Sequence, residues 1–598
     1  MIRIFKICCL LSVVLSCSTP KPAKKPVQLA FLSDVHLHDI YANFSNTNYK
    51  GIENPVTGKY NVIRSMDSQL HSTRLFNENY FAFQSALQEV AKRGIKIVAL
   101  PGDFTDDGQP ANVKALKSIL ETFEKQYDIQ FFITTGNHDP VRPFPRPGGK
   151  HDFLAEDGSE QIIVSDSSLM RQGSYKNPPI ITPDVQFWGY QDIAETLSGF
   201  GFFPKASNLF WQTPFSTYNF DTYNFDLAKS QSELDKRTYN VQKSTLKIPD
   251  VSYVVEPVEG LWLLAIDGNV YLPKNETSTE FGGASGNGYN GVIQHKKHLV
   301  SWVKQVVLEA KKHNKKLVAF SHYPMVEFND GATNELKQLF GDNKMQLVRV
   351  PNLEVAETFA SLGLQLHFGG HMHANDTGVH KAKNGQTLFN IQTPSLAGYM
   401  PAYKVLTFND DTHVKVETVV LDSVLNYNEL FPLYEKEHAY LKASQASKIW
   451  NKEVLQAQSY LHLTDWHLKE LVRLRFLPND WPEPLKEKLL NKTGKALLLS
   501  VQDASNAINL QILEDLDSWT INDMLVDFYR LKLSDGLVYK QIGAARLNQY
   551  KMLSEALQKG NDADLKLFGT LFLKTMSGQP SVNFSINLNN NSIKALED

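Results

Sequence analysis

Five short stretches hold side chains that ligate metal ions, and they follow one another as Asp34-x-His36, Gly102-Asp103, Gly136-Asn137-His138-Asp139, His322 and Gly370-His371-x-His373. Their donors are carboxylate oxygens, imidazole nitrogens and one amide oxygen, a set suited to divalent cations without any thiolate. Each stretch alone is commonplace. A D-x-H pair, or Gly-Asp after an apolar run, usually marks a strand ending in a turn, and His322 before Tyr323-Pro324 reads by itself as a loop histidine. Together they supply two ligand sets around one shared carboxylate, which is what two cations a few ångströms apart require. Asp103 is expected to be the shared ligand. Asp465-Trp466-His467 repeats the D-x-H pattern, but no companion motif follows it, so it is expected to be a decoy.

The elements that must position these residues are legible as alternating apolar runs and amphipathic stretches. Gln28 to Leu32 reads as a strand leading into Asp34, Ile95 to Leu100 as one feeding Asp103, and Ile129 to Thr134 as one emptying into Asn137. Between them, Tyr80, Phe83, Leu87 and Val90 fall on one helical face, with Asn77 as the expected cap. Val113, Leu116, Leu120 and Phe123 fall on another, behind Pro110. Leu261 to Ile266, Leu317 to Phe320 and Leu364 to Phe368 continue the strands, the last two running into His322 and His371. Strand tips carrying acids and histidines are where layered α/β sheets place their ligands. Residues 141–260 interrupt the alternation with a long aromatic and proline-rich insertion, expected either to shape the site or to pack away from it. His38, Asp106 and His367 read as supporting or core residues, and Asp267-Gly268-Asn269 as a turn.

Three shorter strands follow Thr387, and from about Asn426 the chain reads as helical. A domain boundary is therefore placed near 425, with 426–598 mainly helical. Thr464 and Thr520 are expected helix starts, the latter with Asp523 in a capping arrangement. Val582, Phe584, Ile586 and Leu588 alternate as one late strand.

The 598 residues suffice for a sizeable core, and a formal charge of −3 gives no bulk attraction to nucleic acid. All three cysteines, Cys8, Cys9 and Cys17, lie in the first 17 residues, around an apolar run preceded by Arg3 and Lys6. That layout is a secretory signal. Val14-Leu15-Ser16-Cys17 resembles the bacterial lipoprotein signal, implying cleavage before Cys17 and lipidation of its thiol. An ordinary cleaved signal or an uncleaved anchor would also export the domain. Residues 18–27 then read as a Pro/Lys tether, and the expected location is the cell envelope, lipid-anchored to a membrane.

The five stretches together resemble the calcineurin-like metallophosphoesterase superfamily over residues 28–425. The resemblance implies a four-layer α/β/β/α sandwich. It also implies a site in which Asp34, His36 and His373 hold one metal, Asn137, His322 and His371 hold the other, and Asp103 bridges them. His138 matches the family's general acid, with Asp139 placed to orient or polarise it. The implied cofactors are two di- or trivalent ions, Fe, Mn or Zn. The chemistry is consistent with the residues: two cations offset a phosphate's charge and lower the pKa of a bridging water, while His138 protonates the departing alkoxide.

Asp107 and Gly108 replace the arginine pattern of the protein Ser/Thr phosphatases, and Asp106 stands where purple acid phosphatases place a tyrosine. The motifs most resemble the cyclic-nucleotide-phosphodiesterase branch. A phosphodiester of a small molecule or lipid head group is therefore the expected substrate. The alternatives are a monoester or pyrophosphate on the same site, or an inactive binding lipoprotein.

Overall fold

The computed structural model describes residues 26–597 except 171, 172, 174, 242, 243, 245, 276–278 and 502–509. The expected signal and Cys17 lie outside the described residues, as does nearly all of the tether. Among the described residues, no helix is long and apolar enough to cross a membrane.

Two seven-stranded sheets form the frame. Their strands are β1 (Val27–Phe31), β2 (Ile97–Pro101), β3 (Gln130–Thr134), β4 (Phe210–Gln212), β5 (Tyr253–Val258), β6 (Leu261–Ile266), β7 (Lys316–Ser321), β8 (Leu366–Gly369), β9 (Asp376–Lys381), β10 (Thr387–Gln392), β11 (Ala402–Phe408), β12 (His413–Val420), β13 (Asn583–Asn587) and β14 (Ser592–Ala595). The first sheet runs β14-β13-β12-β11-β1-β2-β3 and the second β9-β10-β8-β7-β6-β5-β4. Within the first, β1, β2 and β3 are parallel; within the second, β6, β7 and β8 are parallel. Parallel neighbours bring their C-terminal tips to one edge, and all five ligand stretches follow such tips.

The sheets pack face to face. Phe31 of β1 stacks on Phe368 of β8 with ring centroids 3.8 Å apart, and Tyr253 donates to the Ile133 carbonyl at 3.0 Å. Helices cover the outer faces. Helix Pro110–Tyr127 begins with proline in its first turn, buries Val113, Leu116, Leu120 and Phe123, and stops at Asp128, whose φ is 55°. Helix Lys297–Lys312 buries Leu299, Trp302, Val303 and Val306 on the second sheet's side. The result is a layered α/β architecture, two packed sheets with helices on their outer faces, and a helical C-terminal region.

Several local expectations are corrected. Asn77 does not cap the helix that follows, which spans Asn79–Lys92; its side chain instead exchanges hydrogen bonds with the Arg64 backbone at 3.1 and 2.9 Å. Thr464 lies inside helix Tyr460–Leu471, which is capped by Ser459. Thr520 and Asp523 do form a capping box. The insertion divides: strands Gly149–Leu154 and Glu160–Val164 lie beside the ligand edge, whereas β4 and β5 extend the second sheet.

The boundary near 425 is not a clean partition. The chain returns after its helices, and β13 pairs with β12 in the first sheet, burying Phe584 and Ile586 completely. Alternation of 582–588 specifies a half-buried strand, but nothing in it names the partner.

Candidate metal centre

Tight backbone turns at the strand tips aim the ligands inward. Asp34, His36, Asp103, His371 and His373 all have positive φ, between 45° and 71°. Left-handed conformations cost energy for residues with side chains and gather where function requires them. Two glycines permit the close approach. A Cβ on Gly136 would meet Asp103 Oδ1 at 2.2 Å, and one on Gly370 would meet Ser33 Oγ at 1.9 Å. The Gly-Asn-His-Asp and Gly-His-x-His motifs therefore need glycine for room as much as for turning.

The ligand atoms converge in two clusters. Asp34, His36 and His373 form one, and Asp103, His322 and His371 the other, each with its ligand atoms within 4.8 Å of one another. Asp103 Oδ2 lies 3.2 Å from His322 Nε2 and 3.8 Å from His36 Nε2, so a single carboxylate reaches both. Asn137 Oδ1 stands 3.1 Å from His322 Nε2.

The histidine rings crowd together. His322 Nδ1 lies 3.2 Å from the Pro101 carbonyl and its Nε2 faces Asn137 Oδ1 and Asp103 Oδ2, so both ring nitrogens meet acceptors, and although burial opposes it the Asp103 charge raises this imidazole above its usual range. His371 can donate through Nε2 to the Ser285 carbonyl at 3.0 Å, leaving Nδ1 as an acceptor 2.9 Å from His322 Nε2. His36 and His373 bring Nε2 atoms within 3.1 Å of each other. Burial, with the nearby Arg74 charge, holds His36 well below the usual imidazole range; burial and Arg349 do the same to His371. Imidazole nitrogens that converge beside buried carboxylates fit a pair of cations at their centre, with the Asp103 charge on His322 as the interaction a cation would take over.

His138 stands beside the clusters. Its backbone N–H donates to Asp103 Oδ1 at 2.8 Å, its ring centroid is 4.9 Å from that of His36, and its Nδ1 lies 2.5 Å from Asp107 Oδ1. Asp107, not Asp139, orients this ring. Asp139 turns the other way and accepts from the Phe104 and Thr105 N–H groups at 2.6 and 3.1 Å, as well as from the Thr105 hydroxyl. It therefore pins the loop carrying Asp103. Burial and the Asp103 charge push its carboxyl well above the usual range. Burial opposes ionisation of Asp107 too, but Lys150 and His138 outweigh it and hold that carboxyl well below normal.

Several residues of the site carried no signal in the sequence. Lys150, on the insertion strand Gly149–Leu154, pairs with Asp107. Arg64 and Arg74, on either side of helix Met66–Leu70, both pair with Asp106, at 3.4 and 2.8 Å. Asn269, read as part of a turn, donates to the Gly136 carbonyl at 2.8 Å and accepts from Tyr323 at 2.7 Å, bracing two ligand loops. Asp267 pairs with the fully buried Lys296 at 3.2 Å. A narrow cavity of about 50 Å3 opens beside His371 and His373 and is walled by Arg349, Tyr399, His467 and Phe476. The C-terminal helices thus line the site, which the boundary near 425 did not foresee.

Two neighbouring candidate cation sites sharing a carboxylate, with an acid–histidine pair alongside, fit a dinuclear metal centre. Residues 27–184 match the model of the calcineurin-like phosphoesterase family, so the chain carries a calcineurin-like phosphoesterase domain and is a hydrolase of phosphoester bonds. Among solved structures, a dimetal phosphatase from Danio rerio aligns with a TM-score of 0.33 and 10% identity, over 66% of this chain and 96% of its own. A purple acid phosphatase from yellow lupin, Lupinus luteus, aligns with a TM-score of 0.29 and 9% identity, over 66% of this chain and 52% of its own. Neither is close enough to bear on the chemistry. No curated protein sequence matches the chain.

Proposed function

We propose that the protein hydrolyses phosphodiesters, with Asp34, His36 and His373 holding one cation, Asn137, His322 and His371 the other, and Asp103 shared. Two bound cations would supply a nucleophile at neutral pH and offset the charge of the phosphoryl oxygens. His138 donates a proton to the leaving oxygen, while Asp107 fixes its ring. Asp139 acts one step back, holding the loop that carries Asp103.

The observation that favours a diester is how the surrounding cations are used. Arg74 and Arg64 are paired with Asp106, Arg64 also with Asp152, and Lys150 with Asp107. Arg349, on the cavity wall, donates to the neutral Gln346 at 2.9 Å and is the one guanidinium of these not paired with a carboxylate, enough for the single charge of a diester. Cations committed to carboxylates add little net charge for a dianionic monoester, whereas a singly charged diester needs less. Competing bis(p-nitrophenyl) phosphate against p-nitrophenyl phosphate tests this. A higher kcat/KM for the diester is expected, and a clear preference for the monoester refutes it.

We propose further that residues 1–17 export the domain and that Cys17 anchors it by lipid, facing a small-molecule or lipid-head-group phosphoester at the membrane. Cys17→Ser should release the protein from the membrane fraction.

A further inference from the structure

We propose that the cavity of about 780 Å3 along the outer edge of β9 is a second ligand site, for a small organic ammonium compound with an apolar body. β9 is the last strand of its sheet and enters at Asp376, three residues after His373. None of the metal-site side chains lines this cavity, so its ligand is a separate question from the phosphoester.

Asp376 lines the cavity, is only 6% exposed, and its Oδ2 meets no hydrogen-bond donor. The hydroxyl of Thr377, the next residue, is buried without a partner as well. An unmet buried acceptor is costly, and a charged donor is the partner that repays it most. Glu327 and Asp330 also line the cavity, so its acid groups crowd one region. Burial, then the charges of Asp330, Asp535 and Glu327, push the Asp376 carboxyl well above its usual range, which shows how poorly that charge is now offset.

The neighbouring lysines direct their ammonium groups elsewhere; Lys337, which lines the cavity, lies 3.9 Å from Asp342 Oδ1. Lys532 donates to Asn329 Oδ1 at 2.5 Å, and Lys404 donates to Asn375, Thr418 and the Ser581 carbonyl at 2.5 to 2.7 Å. Lys532 still faces the same acids and offsets part of their charge.

The geometry separates an organic cation from a bare metal ion. Among the described residues, the acids of this cavity belong to none of the groups whose ligand atoms approach within 4.8 Å of one another. Apolar side chains share the lining, with Val348 and Leu353 exposed at 48% and 73%, beside the exposed polar Lys337, Asp342, Asn343 and Asn352. An acidic wall, adjoining apolar side chains and a volume in the range of small-molecule pockets describe a site for an ammonium group carried on a hydrophobic body.

The test is calorimetric titration of the full chain with phenethylammonium, with phenethyl alcohol as its uncharged isostere, and with Ca2+. Saturable binding of the ammonium is expected, at least about tenfold tighter than the alcohol. Asp376→Asn should weaken it about tenfold or more. Leu353→Lys, at an exposed position where folding is not at issue, should weaken it as well by placing a like charge at the mouth, and decides the matter if Asp376→Asn does not fold. Equal binding of ammonium and alcohol, unchanged affinity in the folded variants, no saturable binding, or a Ca2+ site that Asp376→Asn abolishes would each overturn the proposal.

Discussion

The chain contains two Asp-x-His pairs, Asp34/His36 and Asp465/His467, and they do different things. The first follows β1, both residues have positive φ, and both side chains turn toward His373, with Asp34 Oδ1 3.4 Å from its Nε2. The second lies within helix Tyr460–Leu471. There Asp465 pairs with Arg530 at 2.7 Å, and His467 hydrogen-bonds the Gln69 carbonyl at 2.9 Å. Although His467 lies on the wall of the cavity beside His371 and His373, that ring nitrogen is already engaged. The same residue types thus serve as ligands where acceptor atoms converge on each other, and as structural polar groups where each has a donor or acceptor of its own.

Substitution should separate these two uses most widely at the ligands. Asp34→Ala is expected to lower kcat/KM by at least about a hundredfold with loss of bound metal, since even supporting residues of metal sites cost ten- to a hundredfold. Asp465→Ala should leave turnover unchanged and lower unfolding stability by about 2 kcal/mol, less than a fully buried pair because its side chain retains some exposure. Paired kinetics and denaturant melts of the two variants read this out. Metal loss in Asp465→Ala would erase the distinction.

The next effect belongs to proton transfer. His138→Ala should retain its metals yet lose about a hundred- to ten-thousandfold in kcat with alkyl leaving groups. The loss should shrink with p-nitrophenolate, which needs no proton. Asp107→Asn should lose less, about tenfold, and change the pH profile of kcat. Asp139→Asn should leave that profile in place, because its carboxylate touches the Asp103 loop rather than the imidazole. A profile shifted by Asp139→Asn and not by Asp107→Asn would reverse the assignment.

Much of the metal centre was readable because its residues sit at the ends of apolar runs, where the chain must turn and the parallel strands share an edge. The seven expected ligand residues and His138 come together at that edge. Asp107 and Lys150 were not legible as His138's partners. One carboxylate of Asp106, Asp107 and Asp139 orients the ring, and which one depends on how the loop after Gly102 turns; Lys150 comes from an insertion whose path has no periodic signal. The return of β13 to the first sheet was hidden for a related reason. Its alternation fixes the buried face, but pairing with β12 across more than 160 intervening residues is set by the packing of the helices between them.

A pH effect on stability is expected at that same junction. Burial lowers Lys404 from its ordinary 10.5 to about 7, against the pull of Asp535 and Asp376. Above about 7 the folded chain releases this proton, while the unfolded chain keeps it until about 10.5, so the unfolded state binds more protons in that window and this contribution to stability rises with pH. Chemical denaturation of the wild type and Lys404→Met across pH 6.5 to 9.5 should show a flatter slope in the variant. Parallel slopes would mean that Lys404 titrates alike in both states.

The central claim is that Asp103 joins two cations into one hydrolytic centre. Elemental analysis of purified protein, run alongside hydrolysis of bis(p-nitrophenyl) phosphate, tests it most directly. The wild type should hold about two metal ions per chain and turn over, whereas Asp103→Asn should hold fewer and lose activity while keeping its fold. Undiminished turnover in Asp103→Asn, or in metal-free wild type, would contradict the account.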